Sequence, residues 1–310
     1  MRTLCITTIT LMLGVTSFGG AARADVPLSS EARARLETSI QSAHTRDAAT
    51  FDAVRGVVSQ ADHLDHQKRG RFYPMASLLR GVVRGHSGSA MALLEPLVAP
   101  QRFTMPTSES ARIALRSGLL EAAGDSKDPA AAPVYRAIIA NETEFFELRA
   151  AVEALGKLGN DADVAMLATL AQTRGPKQDA VIAGMGACRR VVAAHALEAV
   201  VAQSPTGMSA KHLARALSAM GSSWALATPN ASPALEASQV RDITARAALA
   251  MFVSNAEARN DASNALVVIA APDAPRWIAD AKRTASPELA TALDALAARL
   301  AHNPTLTGRL

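Results

Sequence analysis

The sequence predicts an all-α protein organised as an α-solenoid, a row of antiparallel helix pairs. Three observations carry this expectation. About a fifth of the 310 residues are alanine, the strongest helix former, and aromatic residues make up only 4%. A β-sandwich, barrel or large sheet draws on Val, Ile, Thr and aromatic side chains and fits this composition poorly. Between Glu147 and Gln172 apolar residues recur at helical spacing in two stripes. A shift of about thirty residues then lays this segment on the next, a period typical of stacked helical repeats.

In chain order, residues 1–24 read as a secretory signal. Arg2 supplies a basic start, Leu4 to Phe18 an uncharged and mainly apolar stretch, and Ala22-Arg23-Ala24 a small-x-small cleavage site. The apolar part is shorter than the about 20 residues that a spanning helix needs. The expectation is cleavage near Ala24 and a periplasmic or secreted product. Losing Arg2 and Arg23 changes 32 basic against 28 acidic side chains to 30 against 28. A net charge of +2 on so long a chain gives little steering, so no nucleic-acid partner is expected. Cys188 would be the remaining cysteine, leaving cohesion to packing rather than to an internal disulfide. No later stretch reads as a membrane span.

Residues 25–70 are expected to form a helical cap. Leu28, Ala32, Leu36, Ile40 and Ala43 line one face, and Phe51, Val54, Val58, Ala61 and Leu64 another. A stack of repeats needs such a terminal element with one polar side. Residues 71–221 follow as the repeats. In the clearest, Leu148, Ala151, Val152, Leu155 and Leu158 form the first stripe, and Val164, Leu167 and Leu170 the second. Gly159 is placed to stop the first helix in the left-handed conformation, and Asn160, Asp161 and Asp163 offer caps to the second.

In the next copy Leu155-Gly156 falls on Met185-Gly186, Leu158 on Cys188, Leu167 on Leu197 and Leu170 on Val200. An upstream copy pairs Leu78, Leu79 and Val82 with Leu94 and Leu97; a weaker one spans Ala111 to Ala140, with Gly124-Asp125 read as its turn. Residues 222–239, containing SSWALATPNASPALEAS, read as a loop insertion. Residues 240–303 read as further helices of the same grade, and 304–310 as a tail.

The string LRAAVEALGKLGNDADVAMLATLA resembles a HEAT repeat, of the bacterial variety first described in phycobilisome lyases. The matching positions are Leu148, Arg149, Ala151, Ala154, Leu155, Gly156, Leu158, Gly159, Asn160, Val164, Leu167 and Leu170. The resemblance implies a superhelix whose members mostly bind proteins. It is a likeness of fold and carries no lyase activity with it.

Candidate chemistry is sparse. Gly85-His86-Ser87-Gly88-Ser89 resembles the serine elbow of esterases, but its fifth position is not glycine and the repeat register places Ser87 at an inter-helix turn. A hydrolase using Ser87 is therefore the alternative reading. Metal binding through His63 and His66, three apart on one helix face, is another. Zinc normally takes three or four protein ligands, so two are a weak signal. Cys188 falls on an apolar stripe, although Arg189 and Arg190 beside it leave room for a reactive thiol. His195 falls beside a buried stripe without a nucleophile near it in sequence, and Trp277 reads as packing the start of a helix.

The resulting expectation is a non-enzymatic scaffold that binds another protein along its concave surface, without cofactor or metal. Arg189, Arg190 and Trp224 are the candidate anchors, since Arg and aromatic side chains carry most binding energy at such surfaces.

Overall fold

Alanine-rich segments with apolar residues three and four apart fold as helices throughout, and no strand forms among the described residues. The computed structural model describes residues 26–68, 75–86, 89–227 and 234–307. The helices are α1 (Ser30–Arg46), α2 (Ala48–Ser59), α3 (Ala61–Lys68), α4 (Met75–Val83), α5 (Ser89–Val98) and α6 (Glu109–Asp125). There follow α7 (Ala132–Asn141), α8 (Phe145–Leu158), α9 (Asp161–Gln172), α10 (Gln178–Met185), α11 (Val191–Ala202) and α12 (Gly207–Gly221). The chain ends with α13 (Ser223–Ala227), α14 (Ala234–Ser254), α15 (Arg259–Ile269), α16 (Ala274–Lys282), α17 (Pro287–Ala301) and α18 (Pro304–Thr307).

Local chemistry sets many of these boundaries. Ser29, Asp47, Ser108, Glu144, Asn160 and Ser286 each accept a hydrogen bond from a first-turn amide, satisfying donors that a helix start leaves open. Gly159 ends α8 at φ +68°, where a side chain would be strained, and Asn160 opens α9 at once. The helix pair at 147–172 therefore folds as its sequence predicts.

Packing follows a repeated rule. Helices α4, α6, α8, α10, α12 and α15 each contact the next in this series, and α9, α11 and α14 form a second series. The intervening links, among them α7 on α8, α9 on α10 and α14 on α15, join the two. In the first series the axes run the same way. Gly124 on α6 lies against Ala154 on α8, Gly184 on α10 against Val152 on α8, and Gly156 against Cys188 just past α10. Partners in these contacts stand about thirty residues apart.

These contacts leave no room for a side chain. A Cβ on Gly124 would stand 2.7 Å from the Ala154 Cβ, and one on Gly184 would stand 2.6 Å from the Arg149 carbonyl oxygen. At the other end of the chain α1 buries only Leu36, Ile40 and Ala43, against α2 and α5, and keeps its remaining surface polar.

One buried polar contact crosses the first series. The Arg116 Nε on α6 donates to Glu147 Oε2 on α8 at 2.7 Å, and both side chains are withdrawn from water. Such a pair contributes little net stability over apolar packing, yet losing one partner strands the other charge.

Three expectations change. Gly124 and Asp125 close α6 rather than forming a turn, because Gly124 must stay helical to pack on Ala154; the reversal comes at Ser126 to Asp128, with Lys127 at φ +50°. Residues 222–239 are largely helical where described, containing α13 and the start of α14. Residues 228–233, with both prolines, lie outside the described residues; the start of α14 is held by the Arg190 and Val191 partners of Glu236. The 304–310 tail begins with the short helix α18.

Two substitutions separate close packing from helix propensity. Gly184→Ala should lower unfolding free energy by about 1–3 kcal/mol through overpacking against α8. Gly81→Ala, at an exposed position of α4 with nothing within 4 Å, should raise it by about 0.5–1 kcal/mol. Urea denaturation measures both. Glu147→Leu alone should cost about 3–5 kcal/mol in the same experiment, with most of the loss recovered in the double variant Arg116→Met, Glu147→Leu.

Candidate functional site

Because the first-series helices run parallel, the array has two chemically distinct ends. At one end α8, α12 and α15 finish and α9, α11 and α14 begin. Arg190, just before α11, is fixed here: its Nη1 donates to the Gly159 carbonyl at 2.7 Å, its Nη2 pairs with Asp161 at 2.7 Å, and its Nε donates to Glu236 at 2.9 Å. The second Glu236 oxygen accepts the Val191 amide at 2.9 Å, so a residue of α14 caps α11. These bonds tie α9, α11 and α14 together and hold the start of α14 helical. Arg190 is therefore occupied within the fold. Its neighbour Arg189 adopts φ +43° and is half-buried; burial pushes its guanidinium pKa down, and the Glu153 carboxylate pushes it up.

Trp224 occupies the same end, on α13 directly after α12. It is 80% exposed, the most open large apolar side chain among the described residues. Val268 and Val192 are exposed as well. The Ser223 hydroxyl donates to the Val268 carbonyl at 3.4 Å, which brings α13 beside the end of α15. Of the three candidate anchors, Trp224 thus faces solvent while Arg189 and Arg190 are drawn into the packing. Sequence reading had no signal for Val192 and Val268, since single valines in apolar helices are ordinarily buried.

The opposite end gathers the starts of α8, α10 and α12. Phe145 stacks on His212 of α12, with ring centroids 4.8 Å apart and planes 28° from parallel. Phe146 packs edge-on against Phe145 at 5.4 Å and is itself exposed, as is Met208, one turn before His212. The doubled phenylalanine in a chain so poor in aromatics was the available signal for this cluster.

The other sequence candidates are dispersed. Ser87 lies outside the described residues. His86, at the turn between α4 and α5, sets its Nδ1 3.1 Å from Asp47 Oδ2. Asp47 also accepts the Thr50 hydroxyl and amide as the cap of α2, and the Thr50 hydroxyl is the largest cause holding its carboxyl below the usual range. His63 lies on α3, as does His66, whose side chain is outside the described residues. The acids beside them serve the start of α6. Asp62 accepts the Thr107 and Ser108 amides, which pull its pKa to about 2, and Asp65 accepts the Ser110 hydroxyl. Among the described residues no group of three or more His, Cys, Asp or Glu could hold a metal ion.

His195 is exposed and meets Glu198 at 3.0 Å. Trp277 is partly buried against the core, with the Arg246 guanidinium 5.8 Å from its ring centre. No helix of the described residues is long and apolar enough to cross a membrane.

Cys188 is buried against Gly156, and burial pushes its thiol up to about 12. Arg189 and Arg190 do not activate it. A thiol in this state is not a nucleophile at neutral pH.

Comparison with protein-family models, with curated proteins and with solved structures finds no match to this chain.

Cys188 should react with a thiol-specific disulfide reagent only as fast as the protein opens. Its labelling rate should rise steeply across the urea transition. Rapid labelling of the native chain would contradict its burial.

Proposed function

We propose that the chain is an exported, non-enzymatic scaffold, a HEAT-like superhelix that docks another protein. The observation that carries this reading is Trp224, a large aromatic side chain held in the open on a short helix. Tryptophan so exposed contributes little to the core, whereas at interfaces it is among the strongest anchors. Val268, on the end of α15 that Ser223 ties to α13, is exposed as well.

The helix contacts support the solenoid. Two parallel series, each helix touching the next, give an extended surface that a small bundle cannot supply. Helices α9, α11 and α14 would line its inner side, with Trp224 on the rim. The fixed Arg190 contributes by holding that rim in shape, since it joins three helices of the series. The signal-like residues 1–24 support a partner outside the cytoplasm.

Trp224→Ala should leave the unfolding free energy within about 0.5 kcal/mol of wild type. In a pull-down from the exported fraction, with the chain from Asp25 onward as bait, the same substitution should strip the principal captured protein. A large loss of stability would show instead that Trp224 packs the core. Unchanged capture would remove it as an anchor.

A further inference from the structure

His212, like His44 on Phe51, packs its ring on a phenylalanine of another helix, but it does so face to face and with its Nδ1 buried. It sits in the second turn of α12 and reaches across the start of α10 to stack on Phe145, the first residue of α8. Helix α10 contacts both α8 and α12, so the stacked rings join its two neighbours directly. The His212 Nδ1 is buried and has no hydrogen-bond partner. We propose that the Phe145–His212 stack is a proton-sensitive clasp, closed while the imidazole is neutral and loosened when it is protonated.

In a neutral ring one nitrogen carries no hydrogen, and an unpaired acceptor at Nδ1 is tolerable. In the imidazolium both nitrogens carry hydrogens, so the buried Nδ1 would become a stranded donor. The charged groups that act on the ring come from each helix around it. Arg149 of α8 and Arg215 of α12 oppose a positive charge, while Asp179 of α10 favours one. The face of the Phe145 ring also favours a cation. Loss of solvation is the largest influence and holds the imidazole below its ordinary value of 6.5.

The sign follows from linkage. A base whose folded pKa lies below its unfolded value binds fewer protons when folded. The clasp is therefore complete above the unfolded value of 6.5 and weakens as pH falls below it, through the lower folded value. Opening would free the first turns of α8, α10 and α12, and would release Phe146 from its edge-on contact with Phe145. A histidine between packed elements is the usual means of coupling such a change to mild acid.

Amide hydrogen exchange of the full chain tests this at about pH 7.5 and about pH 5, corrected for intrinsic chemistry. Protection of residues 145–150, 178–182 and 207–213 should fall several-fold on acidification in the wild type. His212→Phe keeps an aromatic stack but cannot take a proton, and should abolish that fall. An equal fall in both proteins would overturn the proposal. So would no fall in the wild type. If His212→Phe does not fold, the wild-type imidazole titration decides, with the His212 resonance assigned by its loss in His212→Gln. A midpoint below 6.5 supports the clasp, and one at or above 6.5 refutes it.

Discussion

The close approach of parallel helices is the constraint on which the rest of this structure depends. Helices usually pack 8–10 Å apart because side chains keep them separated. Here glycines at 124, 156 and 184 face backbone or short side chains of the next helix, so the surfaces meet without a spacer. Small residues thereby fix both the separation and the register of neighbours. The aliphatic residues around them, such as Leu119, Leu148, Leu155 and Ile182, fill the remaining core. A chain poor in aromatics can hold together in this way, because many thin helices at short range replace a few bulky side chains.

Polar contacts add direction to this packing. Arg116 with Glu147 ties α6 to α8 in the interior, and Arg136 with Asp163 ties α7 to α9 through two bonds of 2.6 and 2.8 Å. Nearer the surface, Arg80 and Lys157 share Asp125, Lys157 also meets Glu153, and Arg149 joins Glu153 to Glu121. Individually such exposed pairs are worth little. They join α4, α6 and α8 in one order, so a slipped register would leave several charges without partners. The two ends consequently differ: one exposes Trp224, and the other exposes Phe146 and Met208 beside the His212 stack.

Much of this was legible locally. Gly159 and Asn160 mark a helix stop and start through backbone chemistry that involves no distant residue, and both behave as their types require. Gly124-Asp125 carries the same kind of signal and misleads, because there glycine serves a close contact with α8 rather than a turn. The stretch after Ser222 misleads in the opposite sense. Its serines and prolines suggest a loop, yet Glu236 gains Arg190 and the Val191 amide as partners and the helix starts early. The arginine pair was visible as a possible anchor; that Arg190 would be consumed by three partners from distant segments was not.

Taken alone, the amino-acid order determined the helical class and the ends of helices such as α8 and α9, since these depend on propensity, caps and spacing within a few residues. Only the tertiary structure decided which glycines turn the chain and which admit a neighbour. It also decided which arginines are spent in the packing, and that Phe145 meets His212 across an intervening helix. Those outcomes depend on groups many positions apart arriving at one place, and nothing in a local window encodes the distance between them.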